Sequence, residues 1–234
     1  RQLAQANKVT LFALLLASYI ALMSRVSGVQ DLIVGIASSS RHSARWRGVV
    51  GYFINMLSVR AQLDDPMSFR ELLLHVKNKV VAALSHQEYP AIRLVKQLHP
   101  QRDTRASTLF QIDFGLQVVA RSSGILDLFV TSDPAVQVVL GELVFKPYDL
   151  RQQQGQFALT LDMVDDGARL HGVFKYQKSV ISDSSARDLR DYLFALWVQI
   201  VSDPDIQVSE IVLMTEPERK RMNYWLSTME LRLG

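Results

Sequence analysis

The longest apolar stretch of the chain, LFALLLASYIALM from Leu11 to Met23, is the feature that most restricts its fold. It falls short of the roughly 20 apolar residues that a membrane-spanning helix needs. The polar, helix-like segment RQLAQANK precedes it, and Gly28 after it is typical of a helix C-cap rather than of a signal-peptide cleavage site. We therefore predict a buried helix that Thr10 caps and that ends near Ser27.

The composition excludes several classes of protein. The chain has 234 residues, of which 48% are hydrophobic and 21% are charged, as is ordinary for a globular domain. Its formal net charge of +3 is only mildly basic, so we predict no nucleic-acid partner. The sequence contains no cysteine, which excludes disulfides, thiolate nucleophiles and cysteine-ligated metals.

Three further helices are predicted from capping signals and from the helical spacing of apolar residues. Ser68 and Glu71 form a capping box, and the helix that they begin runs to about Ser85. A shorter helix is predicted for residues 90–98, and a last long helix follows residues 182–185. The predicted apolar face of the last helix comprises Leu189, Tyr192, Leu193, Leu196, Trp197, Ile200 and Val201.

Short apolar or alternating runs predict the strands. They are residues 31–37, 51–60, 109–118 and 143–150, followed by the two strands 157–164 and 168–176 of a hairpin. The hairpin turns at Asp165-Asp166-Gly167, because an Asp-Gly pair suits a tight turn with positive φ. Residues 208–222 are expected to form a short extended piece and a charged helix. The alternation of helices and strands indicates one mixed α/β unit with no internal boundary.

The predicted strand VGYFINMLSVR carries an asparagine on an apolar face. Strand alternation places Phe53, Asn55, Leu57 and Val59 on the same side. An unpaired buried amide costs on the order of 1–3 kcal/mol, so Asn55 must have hydrogen-bond partners. These are either the backbone of a neighbouring loop or a polar ligand in a solvated channel. The strand alone favours the loop backbone, because most buried polar groups are satisfied within the protein.

The other polar candidates carry weaker signals. No two histidines have the spacing of metal ligands, and none of the common catalytic motifs is present. His86 lies in a loop between two predicted helices, where it serves either a function or the last carbonyls of the first helix. Arg41, Arg45 and Arg47 form a basic cluster. We interpret the cluster as a solvated loop, with a phosphate contact as the alternative.

Four stretches in order along the chain resemble the second half of a nonribosomal peptide synthetase condensation domain. They are residues 9–41, VGYFINMLSVR at 50–60, HQEYP at 86–90 and RDTRASTLFQIDF at 102–114. The segment VSEIVLMTEPERKRMNYW near the end is similar to the exit of such a domain towards an adenylation domain. Each stretch alone is a modest signal, whereas the ordered set is specific for the family.

The sequence also departs from the family pattern. Met56 replaces the usual Thr, and Glu88 replaces the usual Asp. The retained Phe53-Ile54-Asn55 resembles plain condensation domains rather than the epimerisation or heterocyclisation relatives. The His-His-x-x-x-Asp-Gly motif of the family occurs nowhere in this chain.

The resemblance implies an α/β fold, an α+β two-layer sandwich, in the form of one chloramphenicol-acetyltransferase-like lobe. Residues 1–208 would be the C-terminal lobe, incomplete at its N-terminus, and residues 209–234 an exit linker. The parent domain would form an amide bond between a donor thioester and the amine of an acceptor thioester. Carrier proteins would deliver both on phosphopantetheine arms, and the lobe itself would bind no cofactor or metal. Without the histidine motif, this chain would contain no catalytic residue and would be inactive alone.

The resemblance also implies roles for individual residues. Those expected to line or support the substrate tunnel are Phe53, Asn55, His86, Gln87, Tyr89, Arg102 and Asp103. Arg102 and Asp103 are expected to form a structural charge pair rather than to do chemistry. Arg41, Arg45 and Arg47 become candidates for a contact with a carrier or its phosphate, and Arg60 is expected to be structural. For Asn55, the resemblance leaves ligand contact and structural support equally open.

The implied partners are the missing N-terminal lobe, the donor and acceptor carrier proteins and a following adenylation domain, in the cytoplasm and without a membrane. An isolated lobe would expose an apolar face and would tend to self-associate. Two other functions stay open. The first is a non-catalytic, condensation-like module that recruits partner enzymes. The second is a free-standing acyltransferase that uses coenzyme A, which the adenylation-like exit disfavours.

Overall fold

A computed structural model describes residues 1–39, 41, 44–46, 48–98, 109–118, 136–148, 157–214 and 218. Its helices are α1 (Gln2–Ala6), α2 (Leu11–Ser27), α3 (Phe69–Ser85), α4 (Ala91–Leu98) and α5 (Asp183–Ser202). Its strands are β1 (Asp31–Ser38), β2 (Asn55–Gln62), β3 (Ile112–Val118), β4 (Val138–Leu140), β5 (Leu143–Phe145), β6 (Leu159–Asp165) and β7 (Leu170–Tyr176). The mixed α/β class predicted from the sequence is therefore confirmed.

Helix α2 is the buried helix that the apolar stretch predicts. The Thr10 side chain accepts a hydrogen bond from the backbone N–H of Ala13 at 3.1 Å, which caps the first turn. Gly28 ends the helix in the left-handed conformation, with φ of 72°. Every residue from Ala13 to Ser24 is buried. A helix that is apolar all round has no face for solvent, so it is enclosed by the fold.

The strands form a five-stranded sheet in the order β2-β1-β3-β6-β7, and β4 and β5 form a separate antiparallel pair. Strand β3 runs parallel to both β1 and β6, whereas β6 and β7 form the predicted antiparallel hairpin. Gly167 in the hairpin turn has the predicted positive φ, at 85°. Parallel neighbours cannot be joined by tight turns, so longer connections link β1 to β3 and β3 to β6.

The two faces of the sheet differ in polarity. Phe114 of β3 lies opposite Leu161 of β6, and both are buried on the apolar face. Asp113 and Asp162 alternate with these residues and therefore lie on the other face, together with Lys175 of β7. This strand alternation places charged groups beside one another in the middle of the sheet.

The chain divides into two compact units. One unit contains residues 1–32, 59–83 and 182–234, and the other contains residues 33–58 and 84–181. The chain passes between them within β1, within β2, near the end of α3 and just before α5. Because three of these passages lie inside regular elements, no Pro- or Gly-rich linker marks a boundary in the sequence.

Within the first unit, α2 contacts α5. The Ser182 side chain caps α5 by accepting a hydrogen bond from the backbone N–H of Ser185 at 3.1 Å. The buried residues of α5 are Ala186, Leu189, Leu193, Leu196 and Ile200. Val201 was predicted on this face, but it is 66% exposed. It lies one position beyond Ile200, which is about 100° around a helix of 3.6 residues per turn.

Several predicted boundaries differ from the structure. Strand β2 begins at Asn55 rather than at residue 51, because residues 48–54 are irregular. The predicted extended piece after residue 207 begins as a 3-10 turn at Val208–Glu210. Most of the charged helix predicted up to residue 222 lies outside the described residues. Among the described helices, none combines the length and the apolar character that crossing a membrane requires.

Candidate functional site

Asn55, the first residue of β2, binds the loop between α3 and α4 with its whole side-chain amide. Its Nδ2 donates to the backbone carbonyl of Gln87 at 2.9 Å and to that of Tyr89 at 2.8 Å. Its Oδ1 accepts from the backbone N–H of Ala91 at 3.1 Å. Both amide hydrogens and one oxygen lone pair are therefore satisfied by loop backbone, as the strand pattern favours.

The loop needs these contacts because a helix begins within it. Ala91 is the first residue of α4, and the first N–H groups of a helix have no partner inside the helix. Asn55 provides the acceptor that a local cap usually provides. Two short turns continue the chain from α3, since the N–H of Gln87 donates to Leu84 and that of Tyr89 donates to His86. The loop from His86 to Pro90 is therefore fixed to β2 at several backbone atoms.

Ser38 at the end of β1 makes a second contact with this loop. Its hydroxyl donates to Oε1 of Gln87 at 2.5 Å. Ser38 is buried, whereas the Gln87 side chain is partly exposed. Sequence reasoning missed Ser38, because it stands in a run of three serines with no motif to distinguish it.

Two side chains of this loop, those of Tyr89 and His86, are exposed to solvent. Tyr89 is 41% exposed and donates its hydroxyl hydrogen to Oε1 of Gln97 in α4 at 2.7 Å. His86 is exposed. The loop thus combines a backbone held by the half-buried Asn55 amide with polar side chains that are accessible from solvent.

Phe53 has a different surrounding from Asn55. The guanidinium of Arg41 lies 4.1 Å from the centroid of the Phe53 ring, within cation–π range. Arg41 also donates to the backbone carbonyls of Trp46 at 2.6 Å and of Val49 at 2.8 Å. Its charge therefore stabilises the irregular segment before β2.

The remaining charged candidates differ in their surroundings. The Arg45 guanidinium lies 4.2 Å from the centroid of the Trp46 indole. Arg47 lies outside the described residues, as does the pair Arg102 and Asp103. In the other compact unit, Arg60 donates two hydrogen bonds to the carboxylate of Asp31, at 2.8 and 2.5 Å. This exposed bidentate pair agrees with the structural role predicted for Arg60.

The polar face of the sheet contains a carboxyl group that sequence reasoning also missed. Burial, and after it the nearby charge of Asp162, raises the pKa of Asp113 to about 6. Oδ1 of Asp113 is buried without a hydrogen-bond partner among the described residues. Asp162 forms an ion pair with Lys175 at 2.8 Å. The available signal was an aspartate placed between the apolar residues Ile112 and Phe114 of a predicted strand.

The described residues contain no cluster of three or more His, Asp or Glu side chains that is suitable for a metal ion. His171 faces Asp166 at 3.5 Å beside the β6–β7 turn. The pKa of Asp166 is lowered mainly by the backbone N–H groups of Arg169 and Ala168, so this carboxylate serves the turn. What the structure assembles around Asn55 is a neutral hydrogen-bonding scaffold, suited to positioning a loop rather than to moving a proton.

Comparison of the sequence with protein-family profiles identifies the family of this chain. The profile described as "Condensation domain" matches residues 1–223, nearly the whole chain. The chain therefore belongs to the condensation-domain family, as the ordered motifs predict.

Two curated relatives illustrate how the sequence compares. Tyrocidine synthase 3 of Brevibacillus parabrevis is 29% identical over 221 residues, which cover 94% of this chain and 3% of that protein. Surfactin synthase subunit 1 of Bacillus subtilis (strain 168) is 30% identical over 217 residues, which cover 93% of this chain and 6% of that protein. The chain thus spans only a small part of these relatives.

Solved structures give the same fold. The four-domain nonribosomal peptide synthetase holo-AB3403, bound to AMP and glycine, superposes with a TM-score of 0.81 at 25% identity, over 92% of this chain and 16% of that one. The condensation domain of the Monacolin K polyketide synthase MokA gives a TM-score of 0.70 at 20% identity, over 89% of this chain and 45% of that one. The fold is therefore the chloramphenicol-acetyltransferase-like fold of condensation domains.

Proposed function

We propose that this chain forms the C-terminal lobe of a condensation domain that joins two carrier-bound substrates. The donor is an acyl or peptidyl thioester, the acceptor is the amine of an aminoacyl thioester, and both are carried on phosphopantetheine arms. The observation that carries the proposal is the family match over residues 1–223. The coverage of 45% of the MokA condensation domain supports assignment to one lobe.

Within this proposal, the chain supplies no catalytic base. The His-His-x-x-x-Asp-Gly motif is absent from the sequence, and Asn55 and Gln87 carry amides, which do not accept a proton. The lobe would contribute by holding the two substrates in a reactive orientation, which can account for a large part of the barrier of a two-substrate reaction. Deprotonation of the attacking amine belongs to the other lobe.

Asn55 acts in this account as a positioning residue. Both N–H hydrogens and one oxygen lone pair of its amide are used by the backbone of Gln87, Tyr89 and Ala91, which favours support of the loop over direct ligand contact. The side chains of the loop itself are at least partly exposed and can reach a ligand. We therefore assign substrate contact to His86, Gln87 and Tyr89, and assign Phe53 to the wall that Arg41 packs against.

We assign different roles to the three arginines of the basic cluster, Arg41, Arg45 and Arg47. Arg41 is engaged by backbone carbonyls and by Phe53, so we assign it to the structure of its own segment. Arg45 is exposed and packs only on the Trp46 ring among the described residues, which leaves its N–H groups for a carrier phosphate. Arg47 is proposed to share that contact, and Arg102 and Asp103 to form a structural pair.

We place the body of the lobe at residues 1–208 and the exit towards an adenylation domain at 209–234. The start of the exit is bound to α5, because Gln199 accepts from the N–H of Val212 at 3.0 Å and donates to its carbonyl at 2.7 Å. A fixed starting direction would orient the next domain relative to this lobe. The other proposed partners are the N-terminal lobe and the two carrier proteins.

An assay with loaded donor and acceptor carriers tests the proposal. The complete condensation domain that contains these 234 residues should transfer the donor group to the acceptor amine, and the 234-residue chain alone should not. A complete, folded domain that forms no amide but retains a partner enzyme would instead support the recruitment module. Amide formation by the chain alone would contradict the division of roles between the lobes.

A further inference from the structure

The hydrogen-bonding groups of Gln87 are used unequally. Its backbone carbonyl accepts from Asn55, and its side-chain Oε1 accepts from Ser38. Its backbone N–H donates to the carbonyl of Leu84. By contrast, the side-chain Nε2 makes no hydrogen bond to any residue that the structure describes. Gln87 thus has its acceptors engaged within the protein and two side-chain donors left.

Ser38 determines which way these donors face. A side-chain amide on an exposed loop ordinarily rotates, and its oxygen and nitrogen exchange places. Here the hydroxyl of a buried serine at a strand end donates to Oε1 at 2.5 Å, which favours the orientation in which Oε1 rather than Nε2 faces Ser38. Asn55 restrains the backbone of the same residue, so the amide is oriented from two directions.

We propose that Ser38 is a positioning residue for substrate binding, which turns the Gln87 amide so that Nε2 donates to a substrate carbonyl. This inference rests on the function proposed above, which supplies the ligand class: the amide carbonyls of a pantetheine arm or the acyl carbonyl attached to it. A neutral donor suits a neutral acceptor, whereas a phosphate is usually bound by guanidinium or ammonium groups. An oriented donor also loses less conformational entropy when the ligand binds.

The chain offers a substitution that separates donation from structure. Gln87→Glu keeps an oxygen that accepts from Ser38 but removes both side-chain N–H donors. Ser38→Ala has the opposite effect, because it keeps the donors and removes their orientation. Ser38→Thr restores the hydroxyl, and Ser39→Ala changes the exposed neighbour as a matched control.

Nuclear magnetic resonance of the 234-residue chain provides the readout. D-pantetheine and S-acetylpantetheine are titrated while the side-chain NH2 signal of Gln87 is followed, which is assigned by its loss in Gln87→Glu. Both probes should shift this signal if it binds the arm, and only the acetyl thioester should do so if it binds the acyl carbonyl. One hydrogen bond corresponds to about three- to tenfold in affinity, so Gln87→Glu should weaken binding by about that factor.

Ser38→Ala should weaken binding by about two- to fivefold and move the free Gln87 signal towards that of a mobile amide, since the donor remains but is not oriented. Ser38→Thr and Ser39→Ala should bind like the unchanged chain. The inference is overturned if neither probe shifts the Gln87 signal, if Gln87→Glu binds as tightly, or if Ser38→Ala changes nothing. The proposed function is judged separately, by amide formation in the complete domain.

Discussion

The side-chain oxygen of Asn55 accepts a hydrogen bond from the backbone N–H of Ala91 at 3.1 Å, so a strand residue caps a helix 36 residues further along the chain. The same amide donates to two carbonyls of the preceding loop. One side chain therefore fixes the path of the segment that carries His86, Gln87 and Tyr89. The amide pattern of one donor group and one acceptor matches this backbone in a way that a carboxylate cannot.

Replacement of Asn55 tests that role. Asn55→Ala should lower the free energy of unfolding by about 1–3 kcal/mol, because three backbone groups lose their partner. Asn55→Asp should destabilise the chain at least as much at neutral pH, because a carboxylate oxygen would face the carbonyls of Gln87 and Tyr89. Urea denaturation measures both, and hydrogen exchange at the Ala91 amide reports the local effect.

Asn78→Asp on the exposed side of α3 provides the control, since it introduces the same charge without a described hydrogen bond to break. Its effect should stay within about 0.5 kcal/mol. If Asn55→Asp unfolds at the same urea concentration as the unchanged chain, the support role is wrong.

Gly35 in β1 is required by the ring above it. A Cβ at this position would lie 2.0 Å from Cε2 of Phe110, and Phe110 in turn packs on Phe157 with ring centroids 5.2 Å apart. Gly35→Ala must displace a buried ring, which should cost about 1–3 kcal/mol. Gly48→Ala should cost far less, because nothing lies within 4 Å of that Cβ position. Equal melting temperatures of the two variants would contradict this packing.

The carboxyl of Asp113 should give the stability a characteristic pH dependence. Its pKa in the folded chain is about 6 against an ordinary 3.8, so the folded state binds the proton more tightly than the unfolded state. Its contribution to the free energy of unfolding is therefore largest below about pH 4. This contribution falls as the pH rises from about 4 to about 6 and stays low above that. Asp113→Asn removes that slope.

The variant should consequently be more stable than the unchanged chain at pH 8, and this advantage should disappear near pH 4. The expected difference is on the order of 1–2 kcal/mol, because one pKa unit corresponds to about 1.4 kcal/mol and partial exposure of the carboxyl reduces the effect. Denaturation curves at several pH values measure it. A stability difference that does not vary between pH 4 and pH 8 would show that Asp113 has an ordinary pKa.

The capping box of α3 supplies a fourth prediction. Ser68 accepts from the N–H of Glu71 at 3.3 Å, and the Ser68 N–H donates to Oε2 of Glu71 at 2.8 Å. The backbone N–H of Ser68, and after it the Ser68 hydroxyl, which also donates to Oε2 at 2.8 Å, lower the pKa of Glu71. Ser68→Ala should lower the free energy of unfolding by about 1 kcal/mol and raise the pKa of Glu71 towards its usual value. Ser179→Ala, at an exposed position, should change neither quantity.

Local signals predicted the features that depend on neighbouring residues. Thr10 and Gly28 mark the two ends of α2, and Ser68 marks the start of α3. These ends were predictable because a cap and its partner lie within a few positions of each other. Gly167 turns the hairpin for the same reason. The partners of Asn55 were not predictable to the same degree, because they lie 32 to 36 residues away and depend on where the loop meets the sheet.

The surroundings of Ser38 and Asp113 could not be predicted from the sequence. Ser38 meets Gln87 at a separation of 49 residues, and nothing in a run of serines indicates which hydroxyl is buried. Asp113 acquires its raised pKa from burial and from Asp162, which strand pairing brings close. The ordered motifs identified the family, but these side-chain relationships required the fold.

Amide formation between loaded carriers tests the central claim most directly. The complete condensation domain that contains this chain is mixed with a donor carrier bearing an acyl thioester and an acceptor carrier bearing an aminoacyl thioester, and the acceptor arm is analysed by mass spectrometry. The account predicts the amide-linked product on the acceptor with the complete domain and none with the 234-residue chain alone. A folded complete domain that leaves both loaded carriers unchanged, or a product made by the chain alone, would contradict it.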